Sequence, residues 1–173
     1  ACYDEGKRVA EALFIAYENF NNVDIRIARI FNTYGPYMDP QDGRVVSNFI
    51  NQALVNQPIT VYGDGTQTRS FCYVSDLVDG LISLINSDYK RPINLGNPDE
   101  YNMLQFAELV RETIGSNSEI IFCELPIDDP KRRCPDIRLA NEILGWAPSI
   151  DLKEGLENTV KWYQKILDLA VDK

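Results

Sequence analysis

Tyr3 and Lys7, in Tyr3-Asp4-Glu5-Gly6-Lys7, are the first residues in the chain whose types and spacing could do chemistry. Four residues apart on a helix puts two side chains on one face, one turn above the other. A phenol titrates near pH ~10, and an adjacent ammonium favours its phenolate, toward the neutral range where a general base works best. The same spacing also describes the first turn of an ordinary amphipathic helix with a solvated lysine, so the pair alone leaves both readings open. A second candidate is Asp128-Asp129-Pro130-Lys131-Arg132-Arg133-Cys134-Pro135-Asp136, the dense basic cluster of an acidic protein. Arginine forks suit a phosphate; the alternative is a solvated loop.

The elements that must position these residues follow from periodicity. Residues 3 to about 19 predict a helix, with Val9, Ala12, Leu13, Ala16 and Tyr17 at helical spacing and Asn21-Asn22 as its stop. Val23 to Ile30 is β-branched at alternate positions and predicts a strand. Helix, tight turn and strand make half of a parallel α/β unit. The segment from Phe31 to Arg44 predicts a polar loop at the carboxyl end of that strand, where open α/β sheets bind ligands, or else an ordinary surface loop. Helices are expected from Val45 to about Asn56, after a Ser75 cap (burying Leu77, Val78, Leu81, Leu84 and Ile85), from Asn102 to Ile114, over Leu139–Leu144, and from Leu152 to about Ala170. The last should bury Leu152, Leu156, Val160, Tyr163 and Leu167. Strands are expected at 59–62, 68–74, 92–96 and 119–123. Asn102 with Gln105 reads as a capping box closed by Gly115.

Composition narrows the function. The 173 residues are 45% hydrophobic, enough for one domain with a real core. A net charge of −9 argues against nucleic acid or an anionic membrane as partner. The absence of His removes Ser-His-Asp and Cys-His catalysis and the commonest metal ligand. Cys2, Cys72, Cys123 and Cys134 form no Cys-x-x-Cys pair and read as reduced thiols. No glycine-rich loop lies between a strand and a helix; Gly63-Asp64-Gly65-Thr66 sits in a hairpin-like turn. With no initiator Met and no lead-in strand, the sequence reads as a piece of something longer.

Several further segments occur together: Arg29-Ile30-Phe31-Asn32-Thr33-Tyr34-Gly35-Pro36, Val61-Tyr62-Gly63-Asp64-Gly65, Thr68-Arg69-Ser70-Phe71 and Val74-Ser75-Asp76-Leu77. With Tyr3-x-x-x-Lys7 they resemble the C-terminal half of extended short-chain dehydrogenase/reductases acting on nucleotide sugars. Ala1-Cys2-Tyr3-Asp4-Glu5-Gly6-Lys7-Arg8 and Asp42-Gly43-Arg44-Val45-Val46-Ser47-Asn48-Phe49 resemble the UDP-glucuronate decarboxylase (UDP-xylose synthase) branch. The resemblance runs from residue 1 to about 168.

The resemblance implies an α/β fold: the C-terminal part of an NAD-binding Rossmann-type domain plus a small α/β nucleotide-sugar-binding domain. Residues 1–31 would be the dinucleotide-binding remnant and 32–173 mainly the substrate domain, with segments such as 68–95 returning to the Rossmann sheet. It implies NAD as cofactor, Tyr3 as the base for the sugar 4-hydroxyl, and Lys7 as the residue that tunes it and holds the nicotinamide ribose. Thr33 and Arg44 would face the cofactor. Tyr17, Asn32, Thr60, Tyr62, Arg69, Asn94 and Arg133 would contact the UDP-sugar, with Asp136 near the nucleotide; Tyr17 reads equally as a core aromatic. No metal is implied. A homodimer through a helix pair is expected for the complete enzyme, in the cytoplasm or the Golgi lumen. The glycine-rich loop, the catalytic Ser or Thr and the Glu associated with decarboxylation would lie upstream of Tyr3, so this chain alone is expected to be inactive. A 4,6-dehydratase, a 4-epimerase and a non-catalytic nucleotide-sugar-binding domain remain as alternatives.

Overall fold

The computed structural model describes residues 2–124 and 132–171. The chain opens with α1 (Cys2–Asn21), β1 (Ala28–Ile30), β2 (Thr33–Tyr34), α2 (Val45–Leu54) and β3 (Ile59–Tyr62). Next come β4 (Thr68–Ser70), β5 (Cys72–Tyr73), α3 (Val74–Ile85), β6 (Ile93–Leu95), β7 (Glu100–Asn102) and α4 (Met103–Ile114). The remainder is β8 (Ile120–Cys123), β9 (Arg132–Arg133), α5 (Arg138–Leu144) and α6 (Leu152–Val171).

The fold is α/β with mainly parallel pairing. β1 pairs with β6, β2 with β5 and β3 with β8, all parallel, while β4 lies between antiparallel β7 and parallel β9. Parallel neighbours need long crossovers, and helices supply them. One core gathers Phe49, Ile50, Ile59, Val61, Phe106, Val110, Leu156 and Tyr163 from α2, β3, α4 and α6, with Phe71 from the link between β4 and β5. Phe71 stacks on Phe106 with centroids 4.4 Å apart. A second core joins Cys72, Leu77, Leu84, Ile93, Leu95, Ala140 and Trp146 beneath α3 and α5. Its Trp146 indole donates to the Asp76 carbonyl at 2.8 Å, and Gly80 gives it room: a Cβ there would come within 2.9 Å of the ring.

Local signals hold where the chain alone can satisfy them. Asn102 accepts from the Gln105 amide at 2.7 Å while the Gln105 side chain accepts from the Asn102 amide at 3.2 Å, and left-handed Gly115 (φ 69°) closes α4. Other expectations are corrected. The strand expected over 23–30 spans only 28–30, because β6 offers three partners. Ser75 does not cap α3; extended Tyr73 holds the N-cap without a side-chain bond. On α3 Leu77 and Leu84 are buried, whereas Val78 and Ile85 are exposed. Leu167 of α6 is half-buried. The helical stripe of α1 faces outward: the helix has no buried residue, and Val9, Leu13 and Tyr17 are exposed.

Candidate functional site

Tyr3 and Lys7 lie in the first two turns of α1, with the Lys7 Nζ 5.4 Å from the Tyr3 ring centroid. That is within cation–π range and keeps the ammonium beside the phenol. Tyr3 is 70% exposed and Lys7 is exposed too, so both side chains stand open to a ligand. Tyr17 lies on the same helix and is exposed too, which corrects its reading as a core aromatic. The helix is tied down by charge: Glu11 to Arg29 of β1 at 2.6 and 2.7 Å, and Glu18 to Lys90 at 2.8 Å.

The segment after β1 is more ordered than a plain loop. Asn32 accepts the Cys72 amide through its carbonyl at 2.9 Å, and Thr33 begins β2 with its hydroxyl donating to the Phe31 carbonyl at 2.9 Å. This leaves the half-buried Asn32 side chain free of backbone duty. Gly35 has φ 151°, and a Cβ there would meet Val74 Cγ1 at 2.5 Å, so the turn requires glycine. Arg44 is the N-cap residue of α2. Its amide donates to Asp42 Oδ1 at 2.9 Å, and its largely exposed guanidinium lies 3.5 Å from Asp42 Oδ2.

Further along, the β7-β4-β9 sheet aligns Tyr101, Arg69 and Arg133 as register partners. Directly opposed residues on neighbouring strands share a face, so Arg69 and Arg133, far apart in sequence, stand side by side. Arg69 is buried and donates to the Thr68 carbonyl at 2.8 Å; Arg133 is exposed. The opposite face carries Thr68, Glu100 and Arg132. There Glu100 accepts from the Arg132 Nε at 2.9 Å and from the Thr68 hydroxyl at 2.7 Å. The Arg132 guanidinium, followed by Thr68, holds the Glu100 carboxyl down to about 2. Of the expected clamp, Asp128 to Lys131 lie outside the described residues.

Thr60 and Tyr62 lie on β3, two apart and therefore on one face. The Thr60 hydroxyl already accepts from Gln52 Nε2 at 2.9 Å, while Tyr62 is 46% exposed. Asn94 of β6 donates to the Asp136 carbonyl at 3.0 Å. The Asp136 carboxylate is occupied by Arg138, which pulls it down to about 2.

The expected residues thus fall into groups: Tyr3, Lys7 and Tyr17 on α1; Asn32 and Thr33 after β1, with Arg44 at α2; Thr60 and Tyr62 on β3; Arg69 beside Arg133; and Asn94 beside Asp136. A depression of about 350 Å³ lies at Arg132, Cys134, Pro135 and Asp136, next to Arg133. Another, about 430 Å³, runs along α4 past Glu100, Glu108 and Glu112; its anionic lining suits no diphosphate and holds none of the expected residues. Sequence reasoning missed Glu11, Gln52 and Glu100, whose partners lie far along the chain or carried no motif of their own. Among the described residues no group of His, Cys, Asp and Glu could hold a metal ion, and no helix is long and apolar enough to cross a membrane. For NAD, an exposed Tyr–Lys pair fits one ribose, while no glycine-rich dinucleotide loop is present to hold the pyrophosphate.

The family described as NAD dependent epimerase/dehydratase matches residues 1–96. The chain is 55% identical over 168 residues to UDP-glucuronic acid decarboxylase 1 of Xenopus tropicalis, covering 97% of this chain and 40% of that protein. It is 58% identical over 156 residues to UDP-glucuronic acid decarboxylase 5 of Arabidopsis thaliana, covering 90% and 46%. The chain therefore spans less than half the length of these curated relatives. Among solved structures it resembles UDP-glucose 4-epimerase of Thermotoga maritima with UDP-glucose (TM-score 0.89, 27% identity, 93% of this chain and 52% of that one). It also resembles UDP-glucuronic acid 4-epimerase of Bacillus cereus in complex with UDP-glucuronic acid and NAD (TM-score 0.83, 28% identity, 90% and 50%).

Proposed function

Because the chain belongs to the NAD dependent epimerase/dehydratase family, we propose that it is the part of a UDP-glucuronate decarboxylase carrying the proton-transfer helix and the nucleotide-sugar site. The observation that carries this reading is 55–58% identity to UDP-glucuronic acid decarboxylases over 90–97% of the chain. The Tyr3–Lys7 pair and the Arg69–Arg133 row support it chemically. Residues 1–31 are assigned to the dinucleotide-binding part and 32–173 mainly to the sugar-nucleotide part. The parallel pairing of β1 with β6 supports the return of segment 68–95 to the first sheet. In the complete enzyme a homodimer through α1 would cover that helix's exposed apolar face.

The proposed chemistry asks little of each residue. Tyr3 takes the proton of the sugar 4-hydroxyl, and Lys7 favours the phenolate and donates to the nicotinamide ribose. Bound NAD would supply the acceptor, and later the donor, of the C4 hydride. The 4-keto acid is a β-keto carboxylate: the bond from C5 to the carboxyl carbon breaks, CO2 leaves, and the ketone holds the electron pair as an enolate. Reprotonation at C5, return of the hydride to C4 and return of the Tyr3 proton to the C4 oxygen would give UDP-xylose with no net redox change. Thr33 and Arg44 are assigned to the cofactor, Arg69 and Arg133 to the diphosphate, Asn32 and Tyr17 to the sugar side, Thr60 and Tyr62 to the base, and Asn94 to the nucleotide.

Incubating the complete protein with UDP-glucuronate and NAD should release CO2 and form UDP-xylose. Turnover of a UDP-hexose without CO2 would instead assign 4-epimerase or 4,6-dehydratase chemistry, the solved 4-epimerases being related family members at 27–28% identity. Tyr3→Phe should slow turnover by orders of magnitude with UDP binding nearly unchanged, and wild-type turnover would remove the central assignment. The 173-residue chain alone is expected to turn over negligibly and bind NAD weakly, which calorimetry on that chain checks.

A further inference from the structure

The attachment of α1 assigns a role to a pair outside the proposed site residues. Tyr3, Lys7 and Glu11 recur at four-residue intervals and so run along one face of the helix. Within this chain no residue of the helix is fully buried and only Ala10, Ile15 and Ala16 among its apolar residues are partly covered, so apolar packing to the sheet holds it only lightly. Its other ties to the sheet side are ionic. Glu18 reaches Lys90 through a single contact, on a lysine shared with Asp24. Glu11 is held differently: Arg29 Nε meets one carboxylate oxygen at 2.6 Å and Nη2 meets the other at 2.7 Å. A two-point fork fixes orientation as well as distance. Glu11 is held below the usual carboxylate range by its Arg29 hydrogen bonds, and the Arg29 guanidinium is raised by the same contact. The other charges near Tyr3 on the helix are partly spoken for, since Arg8 bonds Glu5 at 3.0 Å.

Where the fork lands matters. Arg29 is the middle residue of β1, paired to Asn94 of β6, and the same strand runs out three residues later into Asn32 and Thr33. Glu11 is also one turn from Lys7, where a loose carboxylate would compete with Tyr3 for the ammonium. Arg29 occupies both of its oxygens.

We propose that Arg29 is a positioning residue: through Glu11 it fixes the helix face bearing Tyr3 and Lys7 against the strand that delivers Asn32 and Thr33, and it withholds Glu11 from Lys7. This rests on the reading of Tyr3 and Lys7 as the proton-transfer pair. A displacement of about 1 Å at reacting groups can cost on the order of 10²-fold in rate, whereas a partly exposed ion pair adds little to folding. Loss of the clamp should therefore appear in kcat before it appears in stability.

The test uses Arg29→Met, Glu11→Met, the double variant and Arg29→Lys in the complete protein, with Tyr3→Phe alongside. Each single variant should lower kcat by roughly 10- to 100-fold with KM for UDP-glucuronate held within about twofold. The double variant should be no slower than the slower single one, because both changes break one unit. Arg29→Lys keeps the charge but not the fork, so it should resemble Arg29→Met. In the 173-residue chain, hydrogen exchange of the α1 amides should quicken in Arg29→Met and Glu11→Met while β3 and β8 stay protected. Wild-type kcat in Arg29→Met or Arg29→Lys, additive losses in the double variant, or unchanged α1 exchange would each overturn the proposal. Full activity in Tyr3→Phe would instead fail the underlying assignment, so the two failures are told apart.

Discussion

Glu100 decides which of two adjacent arginines stays available to a ligand. Its carboxylate takes the Arg132 guanidinium by two nitrogens, on the opposite sheet face from Arg133. Arg133 has no carboxylate partner among the described residues. Arg133→Ala should weaken UDP binding by about 1.5–3 kcal/mol, the range for a hydrogen bond to a charged group, while Arg132→Ala should leave it nearly unchanged; calorimetry with UDP separates them. Glu100 also sets an acid response. Its folded pKa lies at about 2, below the ordinary 4.5, so its contribution is fully present above pH 4.5 and is lost as pH falls from there toward 2. Glu100→Gln should flatten that part of the stability profile, measured by urea unfolding at a series of pH values. Cys72 gives a contrasting case: burial first, then Asp76, pushes its thiol up to about 12. Native protein at pH 8 should alkylate at exposed Cys2 and spare Cys72, which peptide mapping checks.

At the scale of elements, α6 depends on the absence of a side chain. Gly155 lies within the helix, where alanine would ordinarily gain about 1 kcal/mol. Here a Cβ would press into the Tyr34 hydroxyl, which is buried and donates to the Leu152 carbonyl at 3.3 Å. Gly155→Ala should therefore destabilise, by about 1–3 kcal/mol as overpacking does. Adding Tyr34→Phe should recover part of the loss, since the ring carbon beneath the hydroxyl would still be only 2.8 Å away. Thermal unfolding of the single and double variants measures both. Nothing in the sequence around Gly155 announces this contact, which spans more than a hundred residues. The same limit explains what was legible. The α4 capping box, left-handed Gly115 and the parallel α/β character are written in neighbouring residues. β2, β7 and β9 are two or three residues long and exist only because distant strands pair with them. Ser75 looked like a cap because its type suits one, but pairing of Cys72-Tyr73 with β2 carries the chain into the helix two residues earlier. The site residues were legible one motif at a time through family resemblance; that Arg69 and Arg133 share a row, or that Glu11 grips Arg29, needed the pairing of distant strands and helices.

Across the whole molecule, stability is unevenly distributed. Phe106, Val110, Ile50, Ile59 and Tyr163 lock α2, α4, α6 and β3 into one core with no solvent contact at most of those side chains. Trp146 and Leu95 anchor the second beneath α3. Helix α1 shares in neither; it rests mainly on ionic ties, with Ala10, Ile15 and Ala16 half-buried, and exposes Leu13, Phe14, Tyr17 and Phe20. Segments with few buried contacts open at the low end of a protein's range of local unfolding energies. Exposed ion pairs also weaken as salt shortens the Debye length from about 10 Å at 0.1 M to about 3 Å at 1 M. In the 173-residue chain, amides of α1 should therefore exchange by local opening well before those of α4, and raising salt from 0.1 M to 1 M should speed α1 while α4 is little changed. Residue-resolved hydrogen exchange at the two salt concentrations measures this. Equal protection of α1 and α4, or insensitivity of α1 to salt, would show that something other than charge holds the Tyr3–Lys7 helix in place.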